Sequence, residues 1–180
     1  MQADQIISQT KTWVETVVMG LNLCPFAAKE YKQETIRYIV DDSGDFELNL
    51  TTLLCEFHFL DKSQFSTSLL IYPESYADFQ DFLDLVDTGN DILREFGYEG
   101  IYQLASFHPD YRFEGTKEND AANYTNRSPY PMLHVLREQE LEKAIANYPE
   151  VEKIPAVNEK LARTKGRQYF EDILTSIKNQ

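Results

Sequence analysis

The sequence predicts an α/β domain: a small sheet of three or four strands, mainly parallel, covered by helices. Short runs rich in β-branched and aromatic residues at 35–40 (TIRYIV), 67–72 (TSLLIY) and 101–107 (IYQLASF) read as strands. Between them lie segments of helix length whose apolar residues recur every three or four positions. Strands separated by helix-length crossovers favour parallel pairing through right-handed connections. A mixed sheet of the α+β kind is the alternative that the same element order leaves open.

The first helix spans residues 4–19, where Ile6, Ile7, Thr10, Trp13, Val14, Val17 and Val18 recur at helical spacing. Gly20 or Asn22 ends it in a left-handed cap. Cys24 precedes Pro25, which disfavours helical geometry there, so 23–26 reads as a turn. A short helical piece follows over 27–31. The first strand breaks at Asp41-Asp42-Ser43-Gly44. Helical period returns over 45–61, and the second strand stops at Pro73. The next helix covers 75–96, with an interruption expected at Gly89. After the third strand a polar stretch runs from His108 to Arg127. Ser128-Pro129 reads as an N-cap with proline in the first helical position, opening a helix over 129–148. Helices at about 156–164 and 167–178 close the chain.

The 180 residues make one domain of ordinary size, with 165–180 as a C-terminal helical extension. A chain that is 42% hydrophobic and 26% charged has a globular rather than a disordered balance. The net charge of −13 repels phosphate backbones and anionic lipid, so nucleic-acid and membrane partners are not expected. Two cysteines without a CxxC pair, and an N-terminus without a basic-then-apolar leader, point to a reducing cytoplasm. No Walker loop or dinucleotide fingerprint is present. The sequence names no cofactor and fixes no oligomeric state.

Ligands of open α/β sheets sit beyond the carboxyl ends of the strands. Ser106 ends the third strand and His108 follows it, so the candidate site begins there. The connection from His108 to Arg127 is longer than a structureless loop usually is. Its aromatic residues, Tyr111, Phe113 and Tyr124, mark it as ordered and functional. Asn126, Arg127, Ser128 and Tyr130 come next. The Arg127 guanidinium, beside the free N–H groups of a helix start, would hold a carboxylate or phosphate on a small anionic molecule. Pairing with a local acid is the rival role for Arg127, since thirty acids surround seventeen bases. Tyr130, His134 and Arg137 share a face of the predicted helix.

Cys24 is the nucleophile candidate, with His108 or His134 as its base. A small buried side chain is the competing reading of Cys24, and it is the preferred one for Cys55 within its apolar helix. Metal chemistry is the alternative: His134 and Glu138, four apart on the predicted helix, with His108 and Asp110. No HExxH or paired-cysteine motif accompanies them.

Three separated segments, WVETVVMGLNLCPFA (13–27), YQLASFHPDYRFEGT (102–116) and NYTNRSPYPMLHVLRE (123–138), resemble a bacterial family, domain of unknown function 1415 (DUF1415). The resemblance covers about residues 5–163. It implies a bacterial, cytoplasmic protein and brings no reaction with it. Three functions stay open: an enzyme acting on an anionic substrate through a thiol/imidazole site, a metal-dependent enzyme using His108 and His134, and a non-catalytic module that binds a metabolite or a protein.

Overall fold

The structure, a computed structural model, describes residues 2–146 and 148–180. Helix α1 (Ala3–Trp13) continues directly into a wider π-helical turn, Val14–Met19, and the chain reverses at Asn22, whose φ of 54° is left-handed. The order is then α2 (Ala27–Lys32), β1 (Ile36–Val40), α3 (Phe46–Asp61), β2 (Thr67–Ile71), α4 (Phe79–Glu95), β3 (Tyr102–Phe107), β4 (Met132–Arg137), α5 (Glu138–Ala146), α6 (Ile154–Lys165) and α7 (Arg167–Lys178). Two N-caps set where α3 and α4 begin. The Asp45 carboxylate accepts from Leu48 N–H, and the Asp78 carboxylate accepts from Gln80 N–H.

The four strands form a sheet in the order β1-β2-β4-β3. β1 and β2 pair in parallel, with Ile36 opposite Thr67. β4 lies between β2 and β3 and is antiparallel to both. It follows that β1, β2 and β3 all run the same way. Their carboxyl ends therefore share one edge, and β4 starts at that edge. The sheet is mixed, the second of the two arrangements open to the sequence. The mainly parallel pairing is not formed because β4 enters between β2 and β3 and runs antiparallel to both.

That helix, predicted over 129–148, is corrected to a strand and a short helix. Residues 132–137 are β4 and only 138–146 are helical; Asn147 lies outside the described residues. The cause is burial on both faces. Met132 belongs to the core on one side of the sheet, and Leu133 and Val135 to the core on the other. A strand covered on both sides loses its polar–apolar alternation, and a short apolar run then looks the same as buried helix.

Helices cover the sheet on both faces. Ile6 and Trp13 of α1, Val17 of the π-helical turn, Ala162 of α6 and Phe170 and Ile177 of α7 pack against Leu69, Ile71 and Met132. On the other side Leu53, Phe57 and Leu60 of α3 and Phe82, Leu85 and Leu93 of α4 meet Leu70, Tyr72, Tyr102, Leu133 and Val135. Gly89 does not interrupt α4. It marks a close approach: a Cβ there would lie 3.0 Å from Leu104 Cδ1 and 3.1 Å from Leu53 Cδ2.

Candidate functional site

The loops at the carboxyl edge are 41–45 after β1, 72–78 after β2 and 108–131 between β3 and β4. The long 108–131 loop is ordered by a few buried polar side chains. Asn123 is fully buried; its Oδ1 accepts from Phe113 N–H (3.1 Å) and the Thr116 hydroxyl (2.8 Å), and its Nδ2 donates to the Lys117 carbonyl (2.9 Å). The loop closes on itself where His108 N–H donates to the Asn126 carbonyl (3.2 Å) and Asn126 Nδ2 donates to the Ser106 carbonyl (3.2 Å). A 3₁₀ turn over Ala121–Thr125 packs it against the core.

Arg127 is 8% exposed. Its Nε donates to the Tyr111 carbonyl and its Nη2 to the Glu118 carbonyl, each at 3.1 Å, and the guanidinium lies over the Tyr124 ring at 4.5 Å. Trp13 Nε1–H donates to the Arg127 carbonyl at 3.1 Å, which ties α1 to the loop. No carboxylate is within ion-pair distance of the guanidinium among the described residues. The expected helix start beside it is absent. Ser128 is no N-cap, because its hydroxyl donates to the Tyr130 carbonyl at 2.6 Å.

His108 is 1% exposed, with its ring between Phe79 and Phe82 of α4. Asp110 N–H donates to Nδ1 at 2.9 Å. A neutral ring carries one proton, so that proton is on Nε2, which donates to the Tyr76 carbonyl at 2.8 Å. Burial lowers the His108 pKa and keeps the ring neutral. Tyr76, thus held, has a left-handed φ of 58°, and its hydroxyl donates to Asn49 Oδ1 at 2.6 Å.

His134 sits on β4, on the opposite side of the sheet, beside the Phe107 ring. The Thr67 hydroxyl donates to the Val135 carbonyl at 2.5 Å, so its single proton is used. The 2.6 Å contact with His134 Nε2 is then an Nε2–H donation to the Thr67 oxygen. Burial takes the His134 pKa down to about 4. Arg137 points to the other face, where its Nε donates to the Phe65 carbonyl and its Nη1 to the Tyr102 hydroxyl. The shared helical face of Tyr130, His134 and Arg137 is therefore corrected, and so is the helical spacing of His134 and Glu138. Among the described residues no group of three or more His, Cys, Asp or Glu is placed to hold a metal ion.

Cys24 follows Leu23, which belongs to the core on the α1 side, and Asn158 Nδ2 of α6 holds the Leu23 carbonyl at 2.7 Å. Burial raises the Cys24 pKa, outweighing the N–H groups of Phe26 and Ala27 that favour its thiolate. Neither imidazole hydrogen-bonds its sulfur. The structure thus does not bring Cys24, His108 and His134 together. Cys55, expected to be buried, is exposed on α3.

What does converge at the carboxyl edge is a cleft of about 490 Å³. Residues 73–77, His108, Pro109, residues 129–131 and Lys178 line it. Sequence reasoning found His108 and Tyr130 and missed Ser75, Tyr76 and Lys178. Buried polar atoms are normally hydrogen-bonded, so exceptions call for a reason. Among the described residues, the buried side-chain atoms without a partner are Asp41 Oδ2, Tyr72 Oη and Ser75 Oγ. Asp41 follows β1, and Tyr72 and Ser75 follow β2, so all of them lie at this edge. Tyr72 is 0% exposed and Asp41 7%.

The fold and this edge define a three-layer α/β protein with a mixed four-stranded sheet. The chain belongs to the family described as Protein of unknown function (DUF1415), whose model matches residues 5–172. The match runs into α7 and stops short of Lys178. No curated protein and no solved structure matches the chain. No helix among the described residues is long and apolar enough to cross a membrane.

Proposed function

We propose that this protein binds a small polar molecule at the carboxyl edge of its sheet, without covalent catalysis by Cys24. The observation that carries this reading is the Ser75 hydroxyl, a buried oxygen in the wall of the cleft with no partner among the described residues. An unmade hydrogen bond at a buried group costs about 1–3 kcal/mol, a cost that a bound ligand carrying an acceptor would remove. The cleft also suits an acceptor-bearing ligand. The Ser75 hydroxyl is a donor, and the Lys178 ammonium, over the Tyr130 ring at 5.3 Å, has no ion-pair partner among the described residues. A carboxylate or phosphate on the ligand would take these donors. Glu74, exposed at the rim, favours a ligand whose charge is confined to one end.

Thermal denaturation in the presence of small carboxylic acids and phosphorylated metabolites tests this. A ligand at a hundred times its Kd stabilises by about 2.7 kcal/mol, a shift of several degrees in Tm. Ser75→Ala should abolish the shift while leaving the unliganded Tm unchanged or raised, since it deletes an unpaired hydroxyl. A ligand shift that survives Ser75→Ala, or no shift across both classes, rejects the reading.

A further inference from the structure

A smaller cleft of about 250 Å³, which shares Pro109 with the cleft of Ser75, opens against α7. Its lining includes Arg127, Arg167 and Glu171. Arg127 is more than nine-tenths buried, with Nε and Nη2 committed to backbone carbonyls. Among the described residues Nη1 donates to no carbonyl or carboxylate, and Tyr124 is the side chain beside the guanidinium. A guanidinium buried against neutral carbonyls and an aromatic face, with one nitrogen donating to no carbonyl or carboxylate, is a fixed cation awaiting an oxyanion.

A simple anion is not the best complement, because the same wall holds a carboxylate. Glu171 Oε1 accepts from Arg167 Nε (2.6 Å) and from the Tyr124 hydroxyl (3.1 Å), while Oε2 has no partner among the described residues. The hydrogen bond from Arg167, then that from Tyr124 and the charge of Arg167, and last the charge of Arg127 hold the Glu171 carboxyl below its ordinary range. The cleft therefore offers one fixed positive donor and one fixed negative acceptor, both with capacity left. Asp110 and Glu118 at the rim add negative charge, which repels a ligand that is purely anionic.

We infer that this cleft binds a free amino acid, its α-carboxylate on Arg127 Nη1 and its α-ammonium on Glu171 Oε2. Arg167 orients Glu171, and Leu174 supplies apolar surface for the ligand's side chain. This site shares neither Ser75 nor Lys178 with the cleft described above and stands independently of it.

Isothermal titration of the full chain with a panel of free amino acids tests the inference, alongside N-acetyl amino acids and amino-acid amides. At least one free amino acid should bind, and its N-acetyl and amide derivatives, each lacking one charge, should bind about tenfold more weakly or not at all. Glu171→Gln keeps a carbonyl acceptor for Arg167 and Tyr124 but loses the charge, and should weaken binding by about tenfold or more. Ser75→Ala should leave this binding unchanged. Equal binding of the N-acetyl derivative, an undiminished affinity in Glu171→Gln, or no heat from any free amino acid at millimolar concentration overturns it.

Discussion

The imidazole of His108 and the backbone of Tyr76 are joined by an Nε2–H···O=C hydrogen bond of 2.8 Å, which fastens the end of β3 to the loop after β2. The other ring nitrogen accepts from Asp110 N–H, so His108 has no nitrogen left for acid–base work. Its role is to hold a left-handed tyrosine in the wall of the cleft.

His108→Ala should therefore behave as a core substitution. Loss of two hydrogen bonds and of ring packing between Phe79 and Phe82 should lower stability by about 3 kcal/mol, read by urea denaturation. His58→Ala, at an exposed ring, should stay within about 0.5 kcal/mol of the parent. A His108 variant as stable as that control would contradict this account.

Stability should fall on mild acidification. His134 is neutral in the fold, with its pKa taken to about 4 from an unfolded value of 6.5, and His108 is shifted the same way. Below pH 6.5 the unfolded chain binds protons that the folded chain refuses, so the stabilisation present above 6.5 is lost as pH drops towards 4. For His134 alone the loss is on the order of 2–3 kcal/mol. His134→Gln, whose amide N–H can still reach Thr67, should flatten that slope in unfolding curves recorded across the interval.

The two thiols should differ in reactivity. Burial raises the Cys24 pKa and lowers its thiolate fraction near neutral pH, whereas Cys55 is exposed. Mass spectrometry of protein treated briefly with iodoacetamide should find Cys55 alkylated well before Cys24. Preferential labelling of Cys24 would revive it as a nucleophile.

Gly89→Ala sets two effects against each other. Alanine in a helix interior gains about 1 kcal/mol over glycine. The added methyl group would press on Leu104 and on fully buried Leu53 at 3.0–3.1 Å, and overpacking of that kind costs about 1–3 kcal/mol. The net expectation is a destabilisation of about 1 kcal/mol, measured by the same denaturation. A more stable variant would mean that the two leucines have room to shift.

Most of the fold was legible because most elements carry their own local signal. The strands at 36–40, 67–71 and 102–107 are runs of β-branched and aromatic residues, and α1, α4 and α7 each present one apolar face at helical spacing. β4 had no such signal. Whether MLHVLR extends or coils is settled by the space between β2 and β3, where antiparallel pairing satisfies its backbone on both sides. With that one element misread, the sheet looked mainly parallel, and His134 looked like a neighbour of Glu138 across a helical turn.

The sequence by itself determined that the chain folds as one α/β domain of the DUF1415 family. It also pointed to the carboxyl ends of the strands, with His108 and Arg127, as the place for a site. Only the tertiary structure decided what those residues do. It put Leu23, next to Cys24, in the core on the α1 side and His108 against α4, spent both His108 nitrogens on backbone, and placed Arg127 and Glu171 in the wall of one cleft. It also brought Ser75 and Lys178, about a hundred residues apart, into one cleft. The physical reason is that a residue's chemistry depends on which of its donors and acceptors are already satisfied. Those partners come from strands and helices distant in the chain, which no local pattern encodes.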